Sequence, residues 1–389
     1  MNEKMTIPLP DLLEFIVDNR GRSCPTTDSG FPLIATNCIK DDQRFPVWEN
    51  VRYVDDATRE TWFRAHPQPK DIIFVCKGSP GRVAMVPDPV PFCIAQDMVA
   101  LRADPTKVQP EYLYYILTSL EVRRQIANMH VGTMIPHFKK GDFHRLHLEV
   151  HRDVAEQRAI AEVLGALDDK IAANKSVEAA SDELVRAMYA QSVRHDAEER
   201  PLFDVFYVDF GEAFKGASFT DPGVGRPLIR IRDLKTFRSQ IWTSEKRPRE
   251  TVVRPGDVVV GMDAEFRATW WLGDDGLLNQ RVCRVRARDS TSALVAEALR
   301  APLARIERSK SATTVIHLNK SDLQQAKVLM PAEANRIFFE AKAQPVVDHR
   351  VSLARQRGHL ARMRDALLPL LMSGKVTVRD AESVVEGVV

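Results

Sequence analysis

The chain repeats itself at a nearly constant shift, and this repeat constrains the fold more than any other feature. Two pairs of similar segments share one shift of 180 residues, and a third pair differs from that shift by six. Each copy joins a mixed, strand-containing segment to a long helical segment, so a duplicated unit that binds two similar things at a fixed separation is expected. The matching segments are 71–74 with 257–260, 137–143 with 317–323, and 168–171 with 348–351.

Size and composition are those of an ordinary globular protein. With 389 residues, two or three domains are expected, and each repeat is long enough to bury its own core. No apolar run approaches the ~20 residues of a membrane span, and the first residues do not resemble a secretion signal. The cysteines form no Cys-x-x-Cys pair, which predicts reduced thiols in a cytoplasmic protein. They are Cys24, Cys38, Cys76, Cys93 and Cys283.

The charge balance leaves a nucleic-acid partner open. The net charge is +2, but acidic residues elsewhere can hide a basic surface in the total. Basic residues cluster between Arg226 and Arg254. For a chain with two similar units and many Arg and Lys residues, duplex DNA is the candidate partner.

Turn residues and apolar patterning divide the chain into four segments: 1–152, 153–200, 201–331 and 332–389. The first and third contain strands and short helices, and the third repeats the first with different residues. Apolar runs bounded by turn residues predict strands, and 3–4 spacing predicts helices. In the first segment we predict a helix at Leu12–Val17, strands at Phe31–Ala35, Asp71–Cys76, Arg82–Val86, Phe92–Leu101 and Leu146–Val150, and a helix at Glu111–Met129.

The second and fourth segments each predict one long helix. Residues 153–194 contain no Pro and one Gly, and a helix of that length would be on the order of 60 Å long. In the fourth segment Pro345 predicts a bend or a break, Gly374 predicts the helix end, and Glu382–Val389 shows no clear structure. Two such helices can bury their apolar stripes by packing antiparallel. The predicted fold class is therefore α+β: two mixed units separated by an antiparallel coiled coil, with an internal pseudo-two-fold repeat.

This architecture, with these residues, resembles the DNA specificity subunit of type I restriction–modification systems. Ala155–Ala161 and Leu164–Ile171 look like that family's first conserved helix. Lys77–Arg82 and Gly132–His137 look like recurring turns of its recognition domains, and Arg364–Gly374 is similar to its closing motif. The second half departs from the pattern, with Gly-Met-Asp-Ala at 261–264 in place of Gly-Ser-Pro-Gly and Ala-Asn-Arg at 334–336 in place of Glu-Gln-Arg.

The resemblance implies a function and a set of partners. Each mixed unit would be a target recognition domain that reads one half of a bipartite DNA sequence, and the helices would fix the spacing. Two methyltransferase subunits would dock on this chain, and motor-nuclease subunits would join for restriction. S-adenosylmethionine, and Mg²⁺ and ATP for restriction, would bind to those partners, so this chain would be a non-catalytic subunit.

Candidate DNA-contacting residues are basic or hydroxyl side chains in the predicted turns and in the basic cluster. The competing interpretation of the cluster is a solvated face, and the repeated His-x-x-Lys can cap a strand instead of contacting DNA. The candidates are Lys77, Ser79, Arg82, Thr133, His137, Lys139, Lys140, Arg226, Arg230, Arg232, Lys235, Arg238, Arg267, Lys310, Thr313, His317 and Lys320.

Candidate residues for the coiled coil and for the partner subunits follow the stripes of the two long helices. They are Glu156, Gln157, Arg158, Ile160, Leu164, Leu167, Ile171, Leu184, Val347, Val351, Leu360 and Leu367.

Catalytic and metal sites are not expected. His144, His147 and His151 lie close in sequence, but strand alternation would put His147 and His151 on one face and His144 on the other, without cysteine or carboxylate support. No adenine-methyltransferase tetrapeptide, cofactor loop or phosphate loop occurs. Glu340-Ala341-Lys342 echoes a nuclease motif but lies on a predicted helix. The rival interpretations are a stand-alone duplicated DNA-binding protein or regulator, a nuclease, and a coiled-coil scaffold.

Overall fold

The computed structural model describes residues 3–19, 21, 23–94, 96–129, 136–310 and 316–388. The chain forms two compact units. Unit 1 comprises Met1–Lys170 with Leu360–Val389, and unit 2 comprises Ile171–His359. Each unit therefore takes a part of both long helices together with one mixed segment. The α+β class with long helices is confirmed.

Unit 1 is built around a four-stranded antiparallel sheet, whose strands in spatial order are β2 (Leu13–Val17), β8 (Met98–Ala103), β5 (Ile72–Val75) and β6 (Val83–Met85). A smaller sheet has the order β4-β3-β7, and β1 pairs with β9. The strands are β1 Lys4–Pro8, β2 Leu13–Val17, β3 Phe31–Ile34, β4 Arg52–Val54, β5 Ile72–Val75, β6 Val83–Met85, β7 Cys93–Ile94, β8 Met98–Ala103 and β9 His147–His151; the helices are α1 Asp56–Thr61, α2 Pro110–Thr118 and α3 Leu120–Met129, with 3-10 turns at Leu9–Leu12, Thr36–Cys38 and Lys140–Arg145.

The core of unit 1 lies on both faces of β5. All four residues of this strand are buried, which explains why the sequence there is a continuous apolar run rather than an alternating one. Asp71 precedes the strand, is buried as well, and is held by two hydrogen bonds of 3.0 Å from the Arg102 guanidinium on β8. The pairing satisfies a carboxylate that would be costly to bury alone.

Unit 2 has a central sheet of order β11-β19-β16-β17 and a second sheet of order β12-β14-β13-β18-β15, and β10 pairs with β20. The strands are β10 Glu198–Pro201, β11 Phe206–Phe210, β12 Phe219–Thr220, β13 Arg226–Ile229, β14 Ile241–Thr243, β15 Val252–Val253, β16 Val258–Gly261, β17 Ala268–Trp270, β18 Gly276–Leu278, β19 Val282–Ala287 and β20 Lys327–Met330; the helices are α5 Leu202–Val205, α6 Ser292–Lys310 and α7 Lys320–Gln325, with 3-10 turns at Gly216–Ser218 and Ile231–Leu234.

The two units share one topology, as the sequence repeat predicts. The strand that follows the repeated Asp is β5 in unit 1 and β16 in unit 2, and each pairs antiparallel with the next long strand and with its hairpin partner. In the smaller sheets, β3 pairs parallel with β7, and β13 pairs parallel with β18. Unit 2 differs because its second sheet adds β12 and β15.

The long helices are α4, Val154–Ser192, and α8, Glu333–Ser373. Within unit 2 the Glu178 carboxylate of α4 accepts from the Arg357 guanidinium at 2.9 Å. Asp182, further along α4, lies 3.5 Å from Arg350, which is earlier in α8. Because α4 numbers rise while α8 numbers fall, the segments pair antiparallel, as predicted.

A bend or a break was predicted at Pro345; the break does not occur, because α8 continues through this residue. Pro345 and Ala341 are both exposed, so water can reach the carbonyl that the proline leaves without a partner. The C-terminal tail also differs from the prediction. Val378–Glu386 forms α9, whose start is capped by Thr377, and Ala381 and Val385 bury its apolar face.

The helix predicted at Leu12–Val17 is wrong. Leu13–Val17 is the edge strand β2, because a single helical turn is marginal in water whereas pairing with β8 satisfies the backbone. The single strand predicted at Phe92–Leu101 is also wrong. It is divided into β7 and β8, which belong to different sheets. The helix predicted at Glu111–Met129 is interrupted at Ser119, whose backbone is extended.

Candidate nucleic-acid interface

In unit 1 the turn after β5 is tied to the segment that precedes the 3-10 turn at 140–145. The Phe138 N–H donates to the Cys76 carbonyl at 2.7 Å, and the Gly78 N–H donates to the Pro136 carbonyl at 3.0 Å. These two bonds form an isolated antiparallel bridge between Lys77 and His137. The two side chains are exposed beside each other, while Phe138 is fully buried and anchors the segment.

Unit 2 contains the same bridge. The Leu318 N–H donates to the Met262 carbonyl at 2.8 Å, and the Ala264 N–H donates to the Ile316 carbonyl at 3.3 Å, which pairs Asp263 with His317. Leu318 is buried, as Phe138 is in unit 1. The repeated His-x-x-Lys motif therefore has one structural position in both units. We call the paired segments 76–82 with 136–139 in unit 1, and 262–267 with 316–319 in unit 2, the bridge loops.

The residue after the bridge has a left-handed backbone in both units. Gly78 has a φ of 85°, and Ala264, at the equivalent position, has a φ of 64°. A non-glycine residue in this region is strained by on the order of 1–2 kcal/mol. The surrounding bridge must hold that geometry, which indicates that the loop conformation matters more than local stability.

The two bridge loops carry side chains of opposite charge at their central position. Lys77 makes no ion pair within the described residues. Asp263, in its place, accepts a hydrogen bond from the His317 ring and lies 3.7 Å from Arg281. Asp263 and Arg281 were not among the candidate residues predicted from the sequence. Extending the repeated strands by a few residues would have aligned Asp263 with Lys77.

Other predicted residues of unit 1 are divided between exposed and paired side chains. Lys139 is exposed, and Ser79 is half-buried. Arg82 lies 3.2 Å from Asp41, which also pairs with Arg123, so its charge is largely compensated. Lys140 begins the 3-10 turn at 140–145, but its side chain lies outside the described part of the chain, as do Thr133 and Thr313.

Several arginines of the basic cluster in unit 2 pair with carboxylates of the same unit. The Arg226 guanidinium makes two hydrogen bonds to the Glu250 carboxylate, and these bonds lower the pKa of Glu250 to about 2. Arg230 lies 3.5 Å from the buried Asp233, and Arg247 lies 2.9 Å from Glu245. Cations of the cluster that are exposed and make no ion pair in the described ranges are Arg232, Arg238, Lys246, Arg249 and Arg254.

The cluster adjoins the bridge loop of unit 2. The 3-10 turn at 231–234 packs against Gly261, and the Lys235 ammonium lies 3.7 Å from the Glu265 carboxylate of the loop. Arg267 and Lys320 are exposed without an ion pair in the part of the chain described, whereas Lys310 pairs with Asp322 at 2.9 Å. Unit 2 therefore presents exposed cations around the Asp263–His317 pair.

The residues predicted for the helix stripes occupy several environments. Gln157 is fully buried in unit 1, where its side chain accepts from the Gln109 N–H at 2.9 Å and donates to the His151 carbonyl at 2.7 Å. It caps the start of α2 instead of facing outward. Leu184 is 47% exposed, and its neighbour Val185, at 1%, packs in the core of unit 2. Ile160, Leu164, Leu167, Val347, Leu360 and Leu367 are buried, Glu156, Ile171 and Val351 are half-buried, and Arg158 is exposed.

The histidines at the end of segment 1 do not form a site. His147 and His151 lie on one face of β9, as predicted, because the register of this strand with β1 is regular. They differ in burial, since His151 is buried against Tyr112 while His147 is exposed. Over the described residues, no group of three His, Cys, Asp or Glu side chains could hold a metal ion. In the nuclease-like triplet, Glu340 lies within α8 and accepts from the Thr291 N–H at 3.2 Å.

Comparison with known proteins shows which family this chain is similar to. The type I restriction modification DNA specificity domain matches residues 3–180. A relative in Escherichia coli, the specificity subunit of the type I restriction enzyme EcoBI, is 31% identical over 201 residues, which make up 50% of this chain and 42% of that protein. The chain thus matches less than half of that relative's length. The crystal structure of the S subunit of a type-I restriction-modification system from M. genitalium has a TM-score of 0.56 at 16% identity, covering 95% of this chain and 96% of that one.

Residues 3–180 thus match a type I restriction modification DNA specificity domain, and the family resemblance inferred from the sequence is confirmed. The solved S subunit shows that the fold extends over nearly the whole chain. No described helix has the length and apolar character needed to cross a membrane.

Proposed function

We propose that this chain is the DNA specificity subunit of a type I restriction–modification complex. Each unit would read one half of an asymmetric bipartite target through its bridge loop, and the helical segments would set the spacing. The observation that carries the proposal is the repeated bridge, which exposes different side chains at one structural position in two units of like fold. Two units that share one fold but expose different side chains are suited to bind two different half-sites.

The chemistry of methylation and cleavage would reside on partner proteins. Two methyltransferase subunits would dock on this chain and bind S-adenosylmethionine, whose methyl group would be transferred to adenine N6. Motor-nuclease subunits would bring Mg²⁺ and ATP for restriction, and the assembly would act on DNA in the cytoplasm. This chain would select the site and perform no covalent step.

The test inserts seven residues into each long helix, between Lys170 and Ile171 and between His359 and Leu360, where the compact units divide. Seven helical residues add roughly 10 Å, or about three base pairs at 3.4 Å each. Duplexes selected from a random pool by the full chain with its methyltransferase should show a longer gap and unchanged half-sites. Altered half-sites with an unchanged gap would refute the spacer role.

Two controls address the rival functions. A stand-alone regulator would purify without methyltransferase chains, whereas a specificity subunit should retain two of them. A nuclease would cleave plasmid DNA in Mg²⁺ without other subunits, and we expect no cleavage. The specificity domain match over residues 3–180 supports the subunit over both rivals.

A further inference from the structure

The centre of each bridge loop presents a distinct hydrogen-bonding surface. In unit 1 the exposed group is the Lys77 ammonium, which has three N–H donors and no acceptor. The adjoining Gly78 leaves the turn open, since a Cβ built there would meet nothing within 4 Å. A base edge approaching this loop therefore meets donors.

In unit 2 the same position presents acceptors. The Asp263 carboxylate is an acceptor when ionised, and one of its oxygens takes the hydrogen bond from Nδ1 of His317. Because Nδ1 carries the proton in that bond, the outer Nε2 of a neutral ring has a free lone pair. The side chains of Asp263 and His317 are 26% and 44% exposed, so both can reach a ligand.

A carboxylate near DNA needs compensation, because phosphates repel it. Arg281 lies 3.7 Å from the second oxygen of Asp263. Arg267 belongs to the same loop and is exposed, and Lys235 lies beside Glu265 of that loop. These cations can contact the phosphates while the carboxylate faces a base.

The four bases differ in the groups that meet such surfaces in the major groove. Guanine presents the N7 and O6 acceptors, which suit a lysine donor. Adenine and cytosine present amino groups at N6 and N4, which suit a carboxylate or a neutral imidazole acceptor. The two loops are therefore complementary to different bases.

We propose that the bridge loop of each unit reads a base, that Lys77 selects guanine in one half-site, and that Asp263 with His317 selects adenine or cytosine in the other. This inference rests on the proposed function, in which each unit reads one half-site. It adds the residues that distinguish the halves and the kind of base that each prefers.

The experiment uses the full chain with its methyltransferase partner. The target is first defined by selection from random duplexes, and binding is then measured by fluorescence anisotropy on duplexes substituted at each position. Asp263→Ala and His317→Ala should each lose about tenfold in preference at one adenine or cytosine of one half-site. Lys77→Ala should lose a similar factor at one guanine of the other half-site.

Matched variants separate base reading from general weakening. Glu198→Gln changes an exposed carboxylate of unit 2 outside the bridge loop and should leave every base preference unchanged. Lys139→Ala removes an exposed lysine two residues after His137 and should weaken all sequences equally. Asp263→Asn keeps the volume of the side chain, so it serves as a second variant if Asp263→Ala does not fold. The melting temperature of each variant shows whether it is folded.

The outcomes separate the base assignment from the proposed function. If the unaltered complex selects a defined sequence but the Asp263 and Lys77 variants keep all its preferences, the inference is overturned and the proposed function stands. If Asp263→Ala relaxes a guanine position, the assignment of bases is overturned. If the unaltered complex selects no sequence at all, both the inference and the proposed function fail.

Discussion

The Arg364 guanidinium of α8 donates a hydrogen bond to the Asp168 carboxylate of α4 at 2.6 Å, and this pair joins the two long helices inside unit 1. The other oxygen of Asp168 accepts from the Tyr115 hydroxyl of α2 at 2.7 Å. Asp168 is 6% exposed, so these partners replace the water that its carboxylate would otherwise contact. One carboxylate thus connects both long helices to the mixed segment of unit 1.

Removing Arg364 should destabilise unit 1 strongly. Arg364→Ala leaves a buried carboxylate without its cation, and breaking such a pair costs about 3–5 kcal/mol in free energy of unfolding. The control is Arg362→Ala, which changes an exposed arginine on the same helix. Urea denaturation of the two variants should differ by at least ~2 kcal/mol. Equal midpoints would show that the pair contributes little.

The stability of unit 1 should fall in mild acid because of His151. Burial lowers the pKa of this histidine, and its ring nitrogen Nδ1 faces the Tyr112 hydroxyl. Below a pH of about 6.5 the unfolded chain binds a proton that the folded chain does not, so the free energy of unfolding decreases as the pH falls. Other groups also titrate in this range, so the comparison with a variant carries the test.

The measurement compares melting temperatures between pH 8 and pH 5.5. His151→Gln keeps a hydrogen-bonding group for Tyr112 but cannot titrate, so its melting temperature should depend less on pH than that of the unaltered chain. The matched control, His147→Gln, changes an exposed histidine of the same strand and should retain the full dependence. Identical pH profiles for the two variants would contradict the role given to His151.

Gly78 should be one of the sensitive glycines of the unit 1 bridge loop. Its φ of 85° is strained for an alanine, so Gly78→Ala should cost about 1 kcal/mol in stability although the added Cβ meets no atom within 4 Å. Gly141→Ala also meets no atom and has no left-handed backbone, so it is the control. Thermal unfolding should distinguish them, and equal stability would mean that the loop adjusts freely.

Arginines of the basic cluster in unit 2 that make internal ion pairs should contribute to stability. Those that make no ion pair in the described residues should contribute to DNA binding. Arg232→Ala removes an exposed cation that makes no ion pair in the described part of the chain, so DNA binding should weaken for all sequences and the salt slope should drop by about one. Arg226→Ala removes the partner of Glu250, and its effect should fall on stability, by about 1 kcal/mol or less because the pair is partly exposed. Salt titrations of DNA binding check both, and an equal slope change would contradict the division.

The sequence predicted the elements that carry strong local patterns. The two long helices and the buried strand at Ile72–Val75 follow from apolar spacing, and the duplication follows from the repeated segments. The strand at Leu13–Val17 was missed because its structure depends on pairing with β8, about 85 residues away in the chain. The local sequence pattern of residues 13–17 gives no information about that contact.

The candidate site was predicted in outline. The repeated histidines His137 and His317 identified the segments, but the bridge that joins each of them to the turn after the central strand is a long-range contact. For the same reason the basic cluster gave no sign that Arg226 belongs to Glu250. Which cations remain exposed is decided by tertiary pairing, and composition does not determine it.

The most direct test of the account is methylome sequencing of a host that expresses this chain with the proposed methyltransferase partner. The account predicts a split motif, with two different short half-sites separated by a fixed gap and adenine methylated at N6. A single uninterrupted motif, or a gap of variable length, would contradict the claim that two units read separate halves at a set distance.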